Sequence, residues 1–389
     1  MRVCLVTPYD LSCDGGVNRH VRALAGALRL RGHETSVLGP SAGPAPCDCD
    51  ALRGVVSLSA NGSKARIGLL VNRRAVRRYL SEGEFDVVHV HEPCIPGIAR
   101  HAATAEFVPR VVTFHAYAER EPAVLRMLRR ALAHPLRDVE HGIAVSHVAA
   151  AFARRVFGGS IRIIPNGIDL STFVAPSRSR GTSHPATNDG NRSLRILFVG
   201  RFDEPRKGLR HLLAAACLLR ESGRSIEVRI AGQGNRRSFA GIAARAGAVF
   251  LGRLSDSALA TEYRAADMFC APATHGESFG LVLVEAMACE CPVVASDIDG
   301  YREASNGAAV LAPPSDAVAL ARALERMADD QFLRRQAIGH GIRRAQELSW
   351  TSLADEIIAA YESAAAPRSV ANELAPHAPE PFVAVGETA

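Results

Sequence analysis

Short runs of β-branched and aliphatic residues alternate along this chain with longer segments of helical spacing, and they do so in two separate series. The first series is "RVCLVTPY", "ETSVLGP", "FDVVHVHEP", "RVVTFHA" and "HGIAVSH". Between these runs lie segments such as "GVNRHVRALAGALRLRGH", apolar at helical intervals and closed by glycine. A strand that must wait for a helix before its successor pairs parallel to it, so the alternation predicts a doubly wound α/β sheet. The second series, "LRILFVG", "IEVRIAG", "GAVFLG", "ADMFCAP", "CPVVASD" and "AAVLAPP", predicts another sheet of the same kind.

Between the two series, Val174–Ser193 is rich in Ser, Pro, Arg, Asn and Gly and has no apolar period, as in a linker or solvated insertion. The expected organisation is a first unit over 1–173, the linker over 174–193 and a second unit over 194–348. A helix over 349–365 is expected to return to the first unit, and an Ala/Pro/Glu-rich tail over 366–389 to be disordered. With 389 residues, 48% of them apolar, the chain can bury two cores.

A formal charge of +6 favours an anionic partner, whether nucleic acid, a membrane surface or a phosphorylated small molecule. No nucleic-acid recognition motif accompanies the arginines, which argues against the first of these. The nine cysteines include no repeated Cys-x-x-Cys pair, and Cys47/Cys49 and Cys289/Cys291 lack a partner pair at metal-site spacing. They read as packing thiols of a reduced, cytoplasmic protein without a bound metal. The N-terminal apolar run stops at Pro8, too short for a signal segment, and no stretch approaches the roughly 20 residues of a membrane span. The expected location is cytoplasmic, at most peripheral on the cytoplasmic membrane face.

Ligands of doubly wound sheets sit at the carboxyl ends of the strands, so the loops there carry the functional candidates. Gly15-Gly16 precedes a helix whose N-terminus could meet an anion. "GRFDEPRKG" brings Arg201, Arg206 and Lys207 to a strand end, a suitable group for a diphosphate. "AGQGNRR" has Arg237 where a dinucleotide fingerprint has its third glycine, which excludes a nicotinamide dehydrogenase. His115 ends the strand in "VVTFHAY" and could bond a sugar or carry a proton. In "GESFGLVLVEAMACE", Glu277 stands in a loop, a helix is expected from about Phe279, and Glu285 lies within it among apolar neighbours. A carboxylate so placed needs hydroxyl donors, a cation or a ligand. Each feature also has a plain structural reading: a tight turn, a solvated basic loop, a strand-end histidine and a buried salt bridge.

Taken together, Glu277-x7-Glu285, the "GRxxxxRKG" loop and the N-terminal "GGV" resemble the group 1 retaining nucleotide-sugar glycosyltransferases of the GT-B fold, over about Met1 to Tyr361. The resemblance implies that Glu285 binds the ribose, Glu277 holds hydroxyls of the transferred hexose, and the backbone of Ser278, Phe279, Gly280 and Leu281 meets sugar and phosphates. It further implies that Arg201 and Lys207 stabilise the departing diphosphate, that Gly16 lets the first unit close on the donor, and that His115 donates to the sugar. No nucleophile is assigned. No tightly bound cofactor is implied, although Mg2+ could accompany the diphosphate.

"TPYDLSCDGGVNRHV", "ANGSKARIG", "FDVVHVHEP", "TFHAY", "IPNGID" and "VVASDID" are similar to the phosphatidylinositol α-mannosyltransferases. That narrower resemblance implies GDP-mannose as donor, phosphatidylinositol as acceptor, and inositol contacts from Tyr9, Asn18, Asn61, Arg66 and Arg120. Asn18 and Arg120 depart from the family, which has a longer amide and a lysine there. A UDP-sugar or GDP-sugar enzyme with a soluble cyclitol or glycoside acceptor, and a non-catalytic lipid-binding module, are the alternatives. In "LLVNRRAVRRYL", Arg73/Arg77 and Arg74/Arg78 are i,i+4 pairs beside Leu69, Leu70, Val76 and Leu80, an expected interfacial band for anionic phospholipid.

Overall fold

The computed structural model describes residues 1–13, 15–60, 63–116, 136, 138–174 and 192–366. The expected linker, apart from its ends, and the expected tail beyond Ala366 lie outside the described residues. The first series yields β1 (Arg2–Val6), β2 (Glu34–Pro40), β3 (Cys49–Leu52), β4 (Val56–Ala60), β5 (Ser63–Ile67), β6 (Val87–His91), β7 (Arg110–Phe114), β8 (His141–Ala144) and β9 (Ser160–Ile163). Seven of these form a parallel sheet in the order β3-β2-β1-β6-β7-β8-β9, while β4 and β5 pair antiparallel as a separate hairpin. The alternation does not predict this hairpin, which never joins the main sheet; a bridge between Tyr9 and Ile67 ties it to the loop after β1.

The second series yields β10 (Leu194–Val199), β11 (Ile226–Ala231), β12 (Ala248–Gly252), β13 (Met268–Ala271), β14 (Val293–Ser296) and β15 (Ala309–Ala312). Their order, β12-β11-β10-β13-β14-β15, is parallel throughout. Strands β6 and β7 are buried along their whole length, as expected where helices cover both faces of a parallel sheet. In both sheets the strand order reverses beside the first strand, between β1 and β6 and between β10 and β13. The loops following those strands therefore face a crevice.

The Gly16–Leu30 helix lays Val21, Leu24, Ala25 and Leu28 on the first sheet. Each buried leucine there contributes about 1.5–3 kcal/mol relative to exposure. One apolar cluster runs from this helix through Ile168, Phe173 and Trp350 to Phe269, Leu283 and Val284 beside the second sheet. The chain passes between the sheets twice, and the two passages are bonded: Ile168 N donates to Leu348 O at 2.8 Å, and Trp350 N to Ile168 O at 3.2 Å. The last helix, Trp350–Ala365, begins at that crossing and packs against β6, β7 and β8 of the first sheet.

Gly208 shows how tightly the loops of the second sheet are fitted. It sits at φ +73°, and a Cβ there would run into the Pro272 carbonyl oxygen, so the loop after β10 lies directly against the one after β13. Gly223, at φ +91°, has no atom within 4 Å of such a Cβ. Gly208→Ala is expected to lower the melting temperature more than Gly223→Ala, whose cost is limited to about 1–3 kcal/mol of backbone strain. Equal shifts in thermal denaturation would contradict this packing.

Candidate active site

The loop after β10 and the loop after β13 meet at one carboxylate. Glu277 Oε1 accepts from Arg206 Nη1 at 2.5 Å and from Lys207 Nζ at 2.7 Å. Arg206 also pairs with the buried Glu204 at 2.9 Å, and Arg201 reaches the other oxygen of Glu204 at 2.8 Å. Three cations and two carboxylates thus form one chain of charge, leaving Arg201 half exposed at its outer end. Lys207 and Glu277, given separate roles by the resemblance, are bonded to each other, and Arg201 joins them through Glu204 and Arg206. Such a cluster, with one more cation than carboxylates, can exchange its internal pairs for the oxygens of a diphosphate and the hydroxyls of a sugar.

The helix expected from about Phe279 spans Leu281–Ala288, with Gly280 as its N-cap. Phe279 is buried, whereas Ser278 and Leu281 are partly exposed, so the Phe279 ring is not presented to a ligand. Glu285 is buried, as its apolar neighbours foretold. Its Oε1 lies 3.2 Å from Arg19 Nη2, and the Tyr263 hydroxyl donates to Oε2 at 3.2 Å. Arg19 belongs to the helix that starts at Gly16, so the cation that meets Glu285 comes from the first sheet. A Cβ at Gly16 would meet no protein atom within 4 Å, and the residue is exposed.

His115 joins a group of buried imidazoles that the sequence reading missed. His91 Nδ1 and His115 Nε2 share a hydrogen bond of 2.9 Å. His89 bonds Tyr361 of the last helix at 2.8 Å and Thr113 at 2.6 Å. The ring of His20 stands edge-on to those of His91, His115 and Trp350. The signal was present in "HVH": residues at i and i+2 of a strand share a face, and a strand covered on both faces must keep both imidazoles neutral and bonded. Burial pushes His20 and His89 down to about 3, and holds His91 and His115 well below the usual 6.5.

His20, His91 and His115 have ring nitrogens within 4.8 Å of one another, close enough to consider a metal. Two nitrogens on a tetrahedral ion stand about 3.3 Å apart, however, and a metal would have to break the 2.9 Å bond between His91 and His115. Glu92 follows β6 in the left-handed region at φ +53°, and its Oε1 accepts from the His115 backbone N–H at 2.6 Å. Burial raises its carboxyl to about 7 against those backbone hydrogen bonds. This strained, buried acid fixes the turn that carries His115.

The acceptor candidates gather at the end of β1. Arg66 Nη2 lies 3.0 Å from the buried Asp10, and Tyr9, adjacent to Asp10, is half-buried beside the hairpin. The amide of Asn18 accepts from the Thr7 hydroxyl at 2.8 Å and donates to Asp10 O and Cys13 O at 2.9 and 3.2 Å. It braces this loop from within, at 5% exposure, and is not presented to a ligand. Asn61 and Arg120 lie outside the described residues.

The interfacial band needs a correction. Arg73, Arg74, Arg77 and Arg78 are all exposed on the Arg73–Glu82 helix, but Val76 and Leu80 point into the core of the first sheet. Leu70, 72% exposed, and Phe107, under the Arg77 guanidinium, are the apolar side chains left at that surface. The helix uses its apolar stripe to pack, as most surface helices do, so this face is basic rather than amphipathic.

The buried histidines set a direction for stability against pH. Their folded pKa values lie below the unfolded 6.5, so the stability they contribute is present above 6.5 and lost as pH falls toward about 3. Glu92 acts oppositely: its contribution is present below 4.5 and lost as pH rises through about 7. The four imidazoles outnumber the two buried acids whose carboxyls are raised, Glu92 and Glu285. Urea midpoints should therefore fall between pH 7 and pH 5, and His20→Gln should reduce that slope; a flat profile would contradict neutral burial.

Comparison with known proteins agrees with this geometry. Residues 193–330 match the family model described as glycosyl transferases group 1, and residues 14–172 that of glycosyltransferase family 4. The chain is 35% identical over 374 residues to the phosphatidyl-myo-inositol mannosyltransferase of Mycolicibacterium smegmatis, covering 93% of this chain and 94% of the relative. It is 38% identical over 314 residues to that of Propionibacterium freudenreichii, covering 77% and 78%. The sucrose-phosphate synthase of Thermosynechococcus elongatus superposes with a TM-score of 0.70 over 93% of this chain and 98% of that one, at 24% identity. Two parallel sheets facing a shared crevice, and a likeness that runs the length of both chains, make this protein a GT-B glycosyltransferase of group 1, in the family of the phosphatidyl-myo-inositol mannosyltransferases.

Proposed function

We propose that the enzyme transfers mannose from GDP-mannose to an inositol hydroxyl of phosphatidylinositol, with retention of the α configuration, at the cytoplasmic face of a membrane. The observation that carries this reading is the Glu277 carboxylate clasped by Arg206 and Lys207 in a chain of that family. The ribose hydroxyls of the donor give hydrogen bonds to Glu285, and the backbone of Ser278 to Leu281 faces its phosphates. As the bond between the anomeric carbon and the diphosphate breaks, negative charge grows on the leaving oxygen. Arg201, Arg206 and Lys207 meet that charge, an electrostatic contribution already in place before the bond breaks. Glu277 exchanges its two cations for sugar hydroxyls, and His115 supplies a further donor from the first sheet. The neutral state of His115 suits hydrogen bonding to a sugar better than it suits carrying a positive charge. The chain's own cations suffice for the diphosphate, so no resident cofactor is invoked, and any Mg2+ would arrive with the nucleotide.

On the acceptor side, Tyr9 and Arg66 stand at the carboxyl end of β1, beside the crevice. An inositol phosphate headgroup there would be met by Arg66, with Asn61 and Arg120 as further partners. The exposed arginines at 73, 74, 77 and 78 support an electrostatic contact with anionic lipid. No helix among the described residues is long and apolar enough to cross a membrane.

Purified protein offered GDP-mannose or UDP-glucose, each with phosphatidylinositol liposomes or free inositol phosphate, should form product only with GDP-mannose and the liposomes. Transfer to inositol phosphate alone would move the acceptor assignment to a soluble cyclitol. Lys207→Ala and Glu277→Gln should each lower kcat by about 10²–10³-fold. Unimpaired turnover in both would overturn this site assignment, whereas cellular function left whole by both changes would favour a lipid-binding module without catalysis.

The basic face has its own test. Replacing Arg73, Arg74, Arg77 and Arg78 with glutamine should weaken sedimentation with anionic vesicles, at about 1 kcal/mol per arginine near the surface. Raising salt should mimic the effect in the unmodified enzyme, because screening acts on exposed charge. Unchanged sedimentation of the quadruple variant would exclude this helix as the membrane contact.

A further inference from the structure

Glu285 is buried in the second unit, yet its cationic partner belongs to the first. Arg19 Nη2 stands 3.2 Å from Glu285 Oε1 and 3.2 Å from Asp256 Oδ1, bridging the two acids from the helix that opens at Gly16. The other oxygen of Glu285 is met by Tyr263, whose hydroxyl also faces Val282 O at 3.1 Å. Arg19 is 40% exposed, so its guanidinium closes the outer side of a carboxylate that is only 5% exposed.

We propose that Arg19 is a positioning residue of the donor site. While the site is empty it holds Glu285 charged and aimed at the crevice, and when nucleotide enters it yields Glu285 to the ribose and remains on Asp256. This inference rests on the reading of Glu285 as the ribose acceptor.

The charges around Glu285 explain why such a residue is needed. Burial raises the carboxyl, and Asp256 raises it further; the charge of Arg19, its hydrogen bond and that of Tyr263 oppose them. Cys289, paired with Arg264, is the other titratable neighbour. Without Arg19, Glu285 would face Asp256 with no cation between them and the Tyr263 hydroxyl as its remaining donor, and would take up a proton. A protonated carboxyl has lost an acceptor position, so it cannot receive both hydroxyls of a ribose as a carboxylate does. A bridging guanidinium removes that difficulty, and because it spans two acids it can release one without being left unpaired.

The test compares GDP and UDP, each beside its 2′,3′-dideoxy analogue, by calorimetry from pH 7 to pH 9, using whichever base binds the unmodified enzyme. The ratio of the two Kd values cancels the ionisation of the phosphates and isolates the ribose. In the unmodified enzyme the preference for the ribonucleotide should be roughly tenfold or more and flat with pH. In Arg19→Ala and Arg19→Gln it should be small at pH 7 and recover as pH rises, while Arg19→Lys should restore the flat profile. Glu285→Gln should abolish the preference at every pH.

If Glu285→Gln keeps the full preference, the ribose reading itself falls. If Glu285→Gln loses it while both Arg19 variants follow the unmodified profile, the ribose reading stands and the role of Arg19 is overturned. A merely structural role for Arg19 would shift both nucleotides together and leave the ratio unchanged.

Discussion

A carboxylate enclosed by apolar side chains needs donors or a cation to stay charged, and in this molecule the cation that meets Glu285 is delivered by a helix of the other unit. That requirement couples the Gly16–Leu30 helix to the Leu281–Ala288 helix and so brings the loop after β1 opposite the loops after β10 and β13. The bonded crossing at Ile168, Leu348 and Trp350 and the shared apolar cluster hold the two units in that relation. The crevice is therefore lined by carboxylates that already have partners: Glu277 with Arg206 and Lys207, and Glu285 with Arg19 and Tyr263. A donor can enter such a site by exchanging partners, because neither carboxylate has to be desolvated afresh.

The first sheet solves a different problem. Its central strands carry imidazoles where a parallel sheet ordinarily carries valine or isoleucine, and these are kept neutral by burial and by bonds to Tyr361, Thr113 and one another. Tyr361 belongs to the last helix, so the chain must cross back from the second unit before His89 is fully satisfied. Glu92, at a backbone angle that a non-glycine residue seldom adopts, holds the turn leading to His115. Polar groups inside this sheet thus set the position of a candidate sugar donor.

The two basic features differ in kind. The arginines at 73, 74, 77 and 78 are solvated, and the apolar stripe of their helix is spent on the core. Arg201, Arg206 and Lys207 have carboxylate partners and partial burial, which orders them for a ligand. Periodicity shows that a helix has an apolar side, but it does not say whether that side meets protein or lipid.

Much of this was written in the chain itself. The alternation of strand and helix pointed to two parallel sheets, because a helix packed on the sheet carries the chain back to the end where the preceding strand began. The placement of glycines, acids and bases at strand ends determined which loops would carry the chemistry, since the carboxyl ends at the strand-order reversal open into a crevice. The family motif named Lys207 and Glu277 with separate roles, and the fold brought the two into contact. Only the tertiary structure decided that Arg19, from a distant helix, meets Glu285; that Asn18 braces a loop; that Val76 and Leu80 face inward; and that His20, His91 and His115 converge. These contacts join residues far apart in sequence, whose directions follow from how helices and sheets pack. Local spacing carries no record of that packing.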